Sequence, residues 1–334
     1  MTRLAFFDRA RLLICIGSGG VGKTTTSASL AVRAAVDGRR VLVLTIDPAK
    51  RLANAMGLDA LDNEPQQVDL SAVGGTGTLH AAMLDAVASF DELIRSTAGD
   101  KADEILTNRI YRMMVDHFAG VQEYMAVVRL YEAYESGRYD LIVLDTPPAK
   151  HAVDFFASSR KAAAMFDERI MRWFLPEMAK DAGLLFRVFN PGVVVLKLLA
   201  VIGGDAFIGE LSGFFRAMST VRADLQKRGE RVDAILKDAA TQYVVVASPD
   251  ARRVDEAIDF YERLRAQRQD VALFVLNRAH DAYSAADLGV LDDAIRRAPS
   301  DDDLAASAAR IGSFYRDLLG FRARDRDAAA RLLK

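Results

Sequence analysis

Eight residues near the start of the chain, Gly17-Ser18-Gly19-Gly20-Val21-Gly22-Lys23-Thr24, combine four glycines with a lysine and two hydroxyls. Glycines let successive backbone N–H groups curl toward one anion, and a helix that follows turns its positive end to the same place. The spacing satisfies G-x-x-x-x-G-K-[ST]. In that pattern Lys23 reaches the β- and γ-phosphates of a nucleoside triphosphate and the Thr24 hydroxyl binds Mg2+. Two acids stand where such a ligand would use them. In YDLIVLDTPP, four apolar residues lead to Asp145 at the C-terminal end of a strand, where Mg2+-linked acids sit. In VLVLTIDPAKRL, Asp47 closes the strand that follows the loop helix. It reads either as a turn or N-cap residue or as the group that orients and deprotonates a water attacking the γ-phosphate.

The elements that must hold these groups are legible as alternating periods. Apolar runs at 12–16 and 41–46 are typical of strands buried on both faces. Between them, Thr24 to Gly38 reads as an alanine-rich helix with Gly38 as its C-cap. This βαβ unit implies a parallel sheet with a right-handed crossover. Further strands are expected at 78–84, 139–145, 243–248 and 271–277. The expected fold is α/β, a doubly wound, mostly parallel sheet of the P-loop type with an inserted helical subdomain. The chain reads as one domain, residues 1–334, with predominantly helical segments at about 85–138 and 151–238. Near the C-terminus, Leu304, Ile311, Phe314 and Leu318 fall on one side of an amphipathic helix opened by Asp301–Asp303.

Composition narrows the classes. Of 334 residues, 51% are hydrophobic and 27% charged, an ordinary globular profile. A net charge of −2 predicts no nucleic-acid surface and only indirect membrane association. The single cysteine, Cys15, lies inside an apolar run and reads as a buried strand residue; one cysteine excludes an intrachain disulfide or CxxC metal clamp. The first ten residues lack a long apolar core and a small-residue cleavage site, and the longest apolar stretch, from Val193, contains Lys197. A membrane span needs about 20 apolar residues. Cytoplasmic residence is the expectation.

GGVGKTTT, TIDPAKRL and YDLIVLDTPPAKH, in this order and at these separations, resemble the ArsA-type ATPases of the deviant Walker A class, and most closely bacterial members. That family covers arsenical pump-driving and tail-anchored-protein targeting ATPases. EYMA (123–126), residues 238–257 and LFVLNRA (273–279) look like further family blocks. The resemblance implies a phosphate site of Gly19, Gly20, Val21, Gly22, Lys23, Thr24 and Thr25. It makes Asp47 and Lys23 the catalytic residues, Thr24 and Asp145 the Mg2+ residues, the latter through water, and Asn277 the reader of adenine. An amide can pair with the adenine edge. His151 falls where the family's second switch often carries histidine; it is assigned no catalytic role.

Ser18 departs from the family pattern. The class signature places a lysine there, which reaches across a dimer interface to the partner's phosphates. Three readings follow: pairing with a lysine-bearing paralogue, a stand-in cation such as Lys50 or Lys150, or slow hydrolysis with the nucleotide acting as a switch. The resemblance implies Mg2+-dependent ATP hydrolysis, with closure of a homodimer or heterodimer driving the handling of a protein or membrane-associated client. Eleven methionines and aromatics (Met165, Phe166, Met171, Trp173, Phe174, Met178, Phe186, Phe189, Phe214, Phe215, Met218) read either as helical core or as a groove for apolar helices. Arsenite activation is not expected, because soft metalloids need several thiolates. A ParA/MinD-like positioning ATPase and an interaction module with little hydrolysis are the alternatives.

Overall fold

The computed structural model describes residues 5–46, 51–117, 119–146, 204, 207–280, 289–290, 293, 296–297 and 302–333. Among these, seven strands form one sheet in the order β3-β4-β2-β5-β1-β6-β7. The strands are β1 (Leu12–Gly17), β2 (Arg40–Thr45), β3 (Gln66–Gln67), β4 (Thr78–Met83), β5 (Leu141–Asp145), β6 (Thr241–Ala247) and β7 (Val271–Leu276). Every pairing is parallel except that of β3 with β4. The mostly parallel α/β architecture expected from the apolar runs is therefore present, with strand bounds within two residues of those read from the sequence.

Alternating side chains of the central strands feed two cores. Leu12, Ile14, Ile16, Leu42, Leu44, Ile142, Leu144, Tyr243 and Val245 face one side. There they pack on α6 (Ala119–Glu135), α7 (Arg222–Leu236) and α8 (Ala251–Ala266). Leu13, Cys15, Val41, Val43, Leu141, Val143, Val244 and Val246 face the other, against α1 (Lys23–Val36) and α2 (Arg51–Met56). Cover on both faces is why these strands are continuous apolar runs. Cys15 is fully buried, as its setting in LLICI implies, and burial pushes its thiol pKa up to about 12.

α1 stops where expected. Gly38 takes φ 96°, and the Gly38 and Arg39 N–H groups donate back to Ala35 and Ala34 carbonyls at 3.0 and 3.1 Å. Arg39, half-buried, then ties three segments together by donating to the carbonyls of Phe7, Ala10 and Asp140.

A third cluster belongs to helices alone. α3 (Ala86–Thr97), α4 (Ala102–Leu106), α5 (Arg109–His117) and α6 meet helical residues 207–218 around Phe90, Ile94, Ile105, Tyr111 and Met125. Phe214, Phe215 and Met218 are buried in this cluster, so these three members of the Met/Phe set are core. The other eight lie outside the described residues, as does most of the 151–238 helical segment.

The C-terminal helix α9 runs unbroken over Asp302–Leu332. Its amphipathic side is not sealed at Ile311 and Phe314, which are 57% and 64% exposed, whereas the side chains of Asp325 and Ala328 are buried. Among the described residues no helix is long and apolar enough to cross a membrane.

Candidate functional site

β1 ends at Gly17, where the chain passes so close to β6 that a Cβ would stand 2.3 Å from the Val246 carbonyl oxygen. Residues 18–22 then turn, and α1 begins at Lys23. The turn needs glycine at Gly22 for two reasons. Its φ is 93°, and a Cβ there would lie 2.0 Å from the Asn277 amide nitrogen. That amide donates to the Val21 carbonyl at 2.8 Å. Val21 itself anchors the loop by burying its side chain in the core. The end of β7 is thus locked to the glycine loop, although 256 residues separate the two in sequence.

Lys23 opens α1 with its side chain buried, and its ammonium donates to the Ser18 carbonyl at 2.9 Å. The cation is held over the loop rather than in solvent. One residue on, the Thr24 hydroxyl donates to Asp145 Oδ2 at 2.8 Å. Asp145 is completely buried and also accepts from the Thr45 hydroxyl at 3.1 Å and the Ser27 hydroxyl at 3.5 Å. β5 delivers this carboxylate between β1 and β2. The next residue, Thr146, fixes the strand end by donating to the Cys15 carbonyl at 2.7 Å.

These groups surround a cleft of about 480 Å3 at the C-terminal ends of the strands. Gly20, Gly22, Lys23, Thr24, Thr25 and Thr146 line it, joined by Arg51 and Arg278. The chain leaves β1 through α1 toward β2 on one side, while from the adjacent β6 it leaves through α8 toward β7 on the other, so the cleft lies at a topological switch point. Gly19 is exposed in the same loop. Of the residues expected at the site, the structure therefore brings Gly19 through Thr25, Asp145 and Asn277 together. Asp47, Lys50, Lys150 and His151 lie outside the described residues. Arg51 and Arg278 escaped the sequence reading; the available signal was a cation beside a strand-terminal site residue, in DPAKRL and LNRA.

Ser18 is buried, and its hydroxyl donates to Glu256 Oε2 on α8. Asp250 caps that helix by accepting from the Arg252 and Arg253 N–H groups. The same Glu256 carboxylate takes Arg253 at 2.9 Å and Arg252 at 3.4 Å. The Ser18 hydroxyl and then these guanidinium groups hold Glu256 below the usual carboxylate range.

A parallel sheet with a G-x-x-x-x-G-K-T turn leading from its central strand into a helix defines the chain as an α/β protein of the P-loop NTPase fold. The family model of the anion-transporting ATPases matches residues 10–292, and the chain belongs to that family. It is similar to "ATPase get3" of Pyrenophora tritici-repentis, 30% identical over 206 residues, 60% of this chain and 59% of that one. It is also similar to "ATPase get3" of Aspergillus niger, 35% identical over 142 residues (42% and 40%). "ATPase ASNA1 homolog 1" of Paramecium tetraurelia is 31% identical over 137 residues (41% and 40%). The chain spans between about two-fifths and three-fifths of the length of these curated relatives.

Proposed function

We propose that this chain binds Mg2+-ATP in the glycine-loop cleft and hydrolyses the β–γ anhydride, using the cycle to drive a dimer that handles an apolar protein client. One observation carries the reading: Lys23 and Thr24 line one cleft at the strand ends, and directly behind it the buried Asp145 carboxylate holds the Thr24 hydroxyl and the Asn277 amide holds the glycine loop at Val21. The relatives named as ATPases support it.

The backbone N–H groups of residues 19–24 and the Lys23 ammonium hold the β- and γ-phosphate oxygens. Lys23 swings from, or shares, the Ser18 carbonyl to do so. The Mg2+ donor set fits a hard cation. Thr24 would offer its hydroxyl and Asp145 its carboxylate, both hard oxygen donors of the kind Mg2+ takes. Among the described residues no cluster of three or more His, Cys, Asp or Glu offers an all-protein cage. Mg2+, when bound, neutralises charge on the β- and γ-oxygens. Asp47, two residues beyond the end of β2 in sequence, is the group that orients the attacking water and takes its proton. Asn277 spends one amide hydrogen on Val21 and keeps a second donor and its oxygen, a pair that matches adenine.

The presence of one glycine loop in the sequence favours a dimer as the working unit. Of the Met/Phe set, the eight residues between Met165 and Phe189 are the ones that supply apolar side chains for a client, Phe214, Phe215 and Met218 being core. Arsenite is a poor effector here, since the only thiol is sealed inside β1 and kept protonated by burial.

The test is steady-state Mg2+-ATP hydrolysis by the full chain, Asp47→Asn and Ser18→Lys. Turnover is expected in the native chain and a drop of about 10²–10⁴-fold in Asp47→Asn, with ATP still bound. Native-level turnover in Asp47→Asn would remove Asp47 from the chemistry. Turnover in Ser18→Lys alone would mean that the native chain works beside a lysine-bearing subunit.

A further inference from the structure

Arg278 lines the cleft in a left-handed backbone conformation, φ 62°, that residues with a side chain seldom adopt. Both of its flanks are pinned. On one side the Asn277 N–H donates to the Ala247 carbonyl at 2.8 Å and the Asn277 side chain to Val21. On the other, Asp325 of α9 accepts from the His280 N–H at 2.6 Å and lies 2.9 Å from the His280 Nδ1. Asp325 is only 6% exposed, and the His280 ring stacks on Phe321 of the same helix, 5.1 Å between centroids and 12° from parallel. The glycine loop therefore grips the link 277–280 from inside and α9 grips it from outside. A link held this firmly at both ends fixes where Arg278 stands.

Sheet order says which part of a nucleotide it meets. Asp145 ends β5 and Thr146 follows it, and Arg51 lies beyond β2, both strands on one side of β1. β7 is the edge strand on the other side. A triphosphate whose terminal phosphates meet Thr24 and Asp145 extends its nucleoside toward β7. We infer that Arg278 is a nucleoside-binding residue of this cleft, laying its planar guanidinium against the adenine face, and that Asp325 is the positioning residue that presents it. The inference rests on the nucleotide-binding reading above. A guanidinium is suited to the task because it is flat, always charged and stacks on aromatic rings. It also gives the C-terminal helix, whose residues no nucleotide motif includes, a direct tie to the occupied site.

Equilibrium titration of the full chain with Mg2+-ATP, ADP and inorganic tripolyphosphate tests this, with Lys23→Ala as the reference. Arg278→Ala is expected to weaken ATP and ADP alike by about 5- to 30-fold, while tripolyphosphate affinity stays at the native level. Arg278→Gly, which suits a positive φ, gives the same pattern and separates lost contact from backbone strain. Asp325→Asn shifts the ATP-to-tripolyphosphate ratio in the same direction, and adds little once Arg278 is alanine. Equal losses for ATP and tripolyphosphate would overturn the inference by making Arg278 a phosphate contact. Loss for ATP with none for ADP would overturn it by moving Arg278 to the γ-phosphate side. Unchanged ATP affinity in Arg278→Ala, beside a loss in Lys23→Ala, would sink this inference alone. No ATP binding by the native chain would sink the nucleotide reading itself.

Discussion

Lys23→Ala is expected to lower Mg2+-ATP affinity by at least about 100-fold and to take turnover with it. The magnitude follows from the bonds removed. A hydrogen bond to a charged partner contributes about 1.5–3 kcal/mol, and Lys23 is placed to reach two phosphates. Losing two such bonds corresponds to about 10²-fold or more in affinity. The cost to the fold is smaller, about 1.5–3 kcal/mol for the one lost Lys23–Ser18 bond. Calorimetric ATP titration beside a thermal melt separates the two effects. Full affinity in a folded Lys23→Ala variant would mean that the glycine loop does not hold the phosphates.

The second large effect is at Asp145. Asp145→Ala leaves the Thr24, Thr45 and Ser27 hydroxyls without their common acceptor in a buried place. The expected destabilisation is about 2–4 kcal/mol, read as a lower urea midpoint. Asp145→Asn isolates the metal role, because the amide oxygen still accepts from Thr24 and Thr45 while the negative charge is gone. Its stability is expected near native, but ATP affinity no longer rises when Mg2+ is added. A native Mg2+ response in Asp145→Asn would separate this carboxylate from the metal. A native urea midpoint in Asp145→Ala would mean that the three hydroxyls find other partners.

What could be read from the residues alone follows a physical division. β1, β2, β5 and β6 are buried on both faces, so each writes itself as an apolar run. Lys23 and Thr24 belong to a motif whose parts are neighbours in sequence, and its chemistry is local. Asp145 is legible for a related reason, since its strand announces where the acid must stand. β3 has only two residues, Gln66 and Gln67, too few to carry any period, and its antiparallel pairing is made by β4. The environment of Ser18 was closed to sequence reasoning because Glu256 is 238 residues away. The same holds for His280 and Asp325, and for Arg278, whose φ only the packed link reveals. Phe214, Phe215 and Met218 show the limit of composition. Three apolar residues within one helical stretch fit a groove as well as a core, and only burial tells which.

Ser18 acquires a physical role in this picture. A side chain at this position packs toward α8, where Glu256 already holds Arg252 and Arg253. The same acid and two arginines that settle Ser18 give this edge of the loop its charge.

The central claim, that the glycine loop, the β5 end and the 277–280 link form one nucleotide site, is tested most directly by hydrogen–deuterium exchange of the full chain with and without Mg2+-ATP. Slower exchange is predicted in peptides covering 17–25, 141–146 and 276–280, with a smaller effect around Asp325 carried through His280. Unchanged exchange at the glycine loop, or protection confined to the separate cavity beside Asn63 and Tyr139, would contradict it.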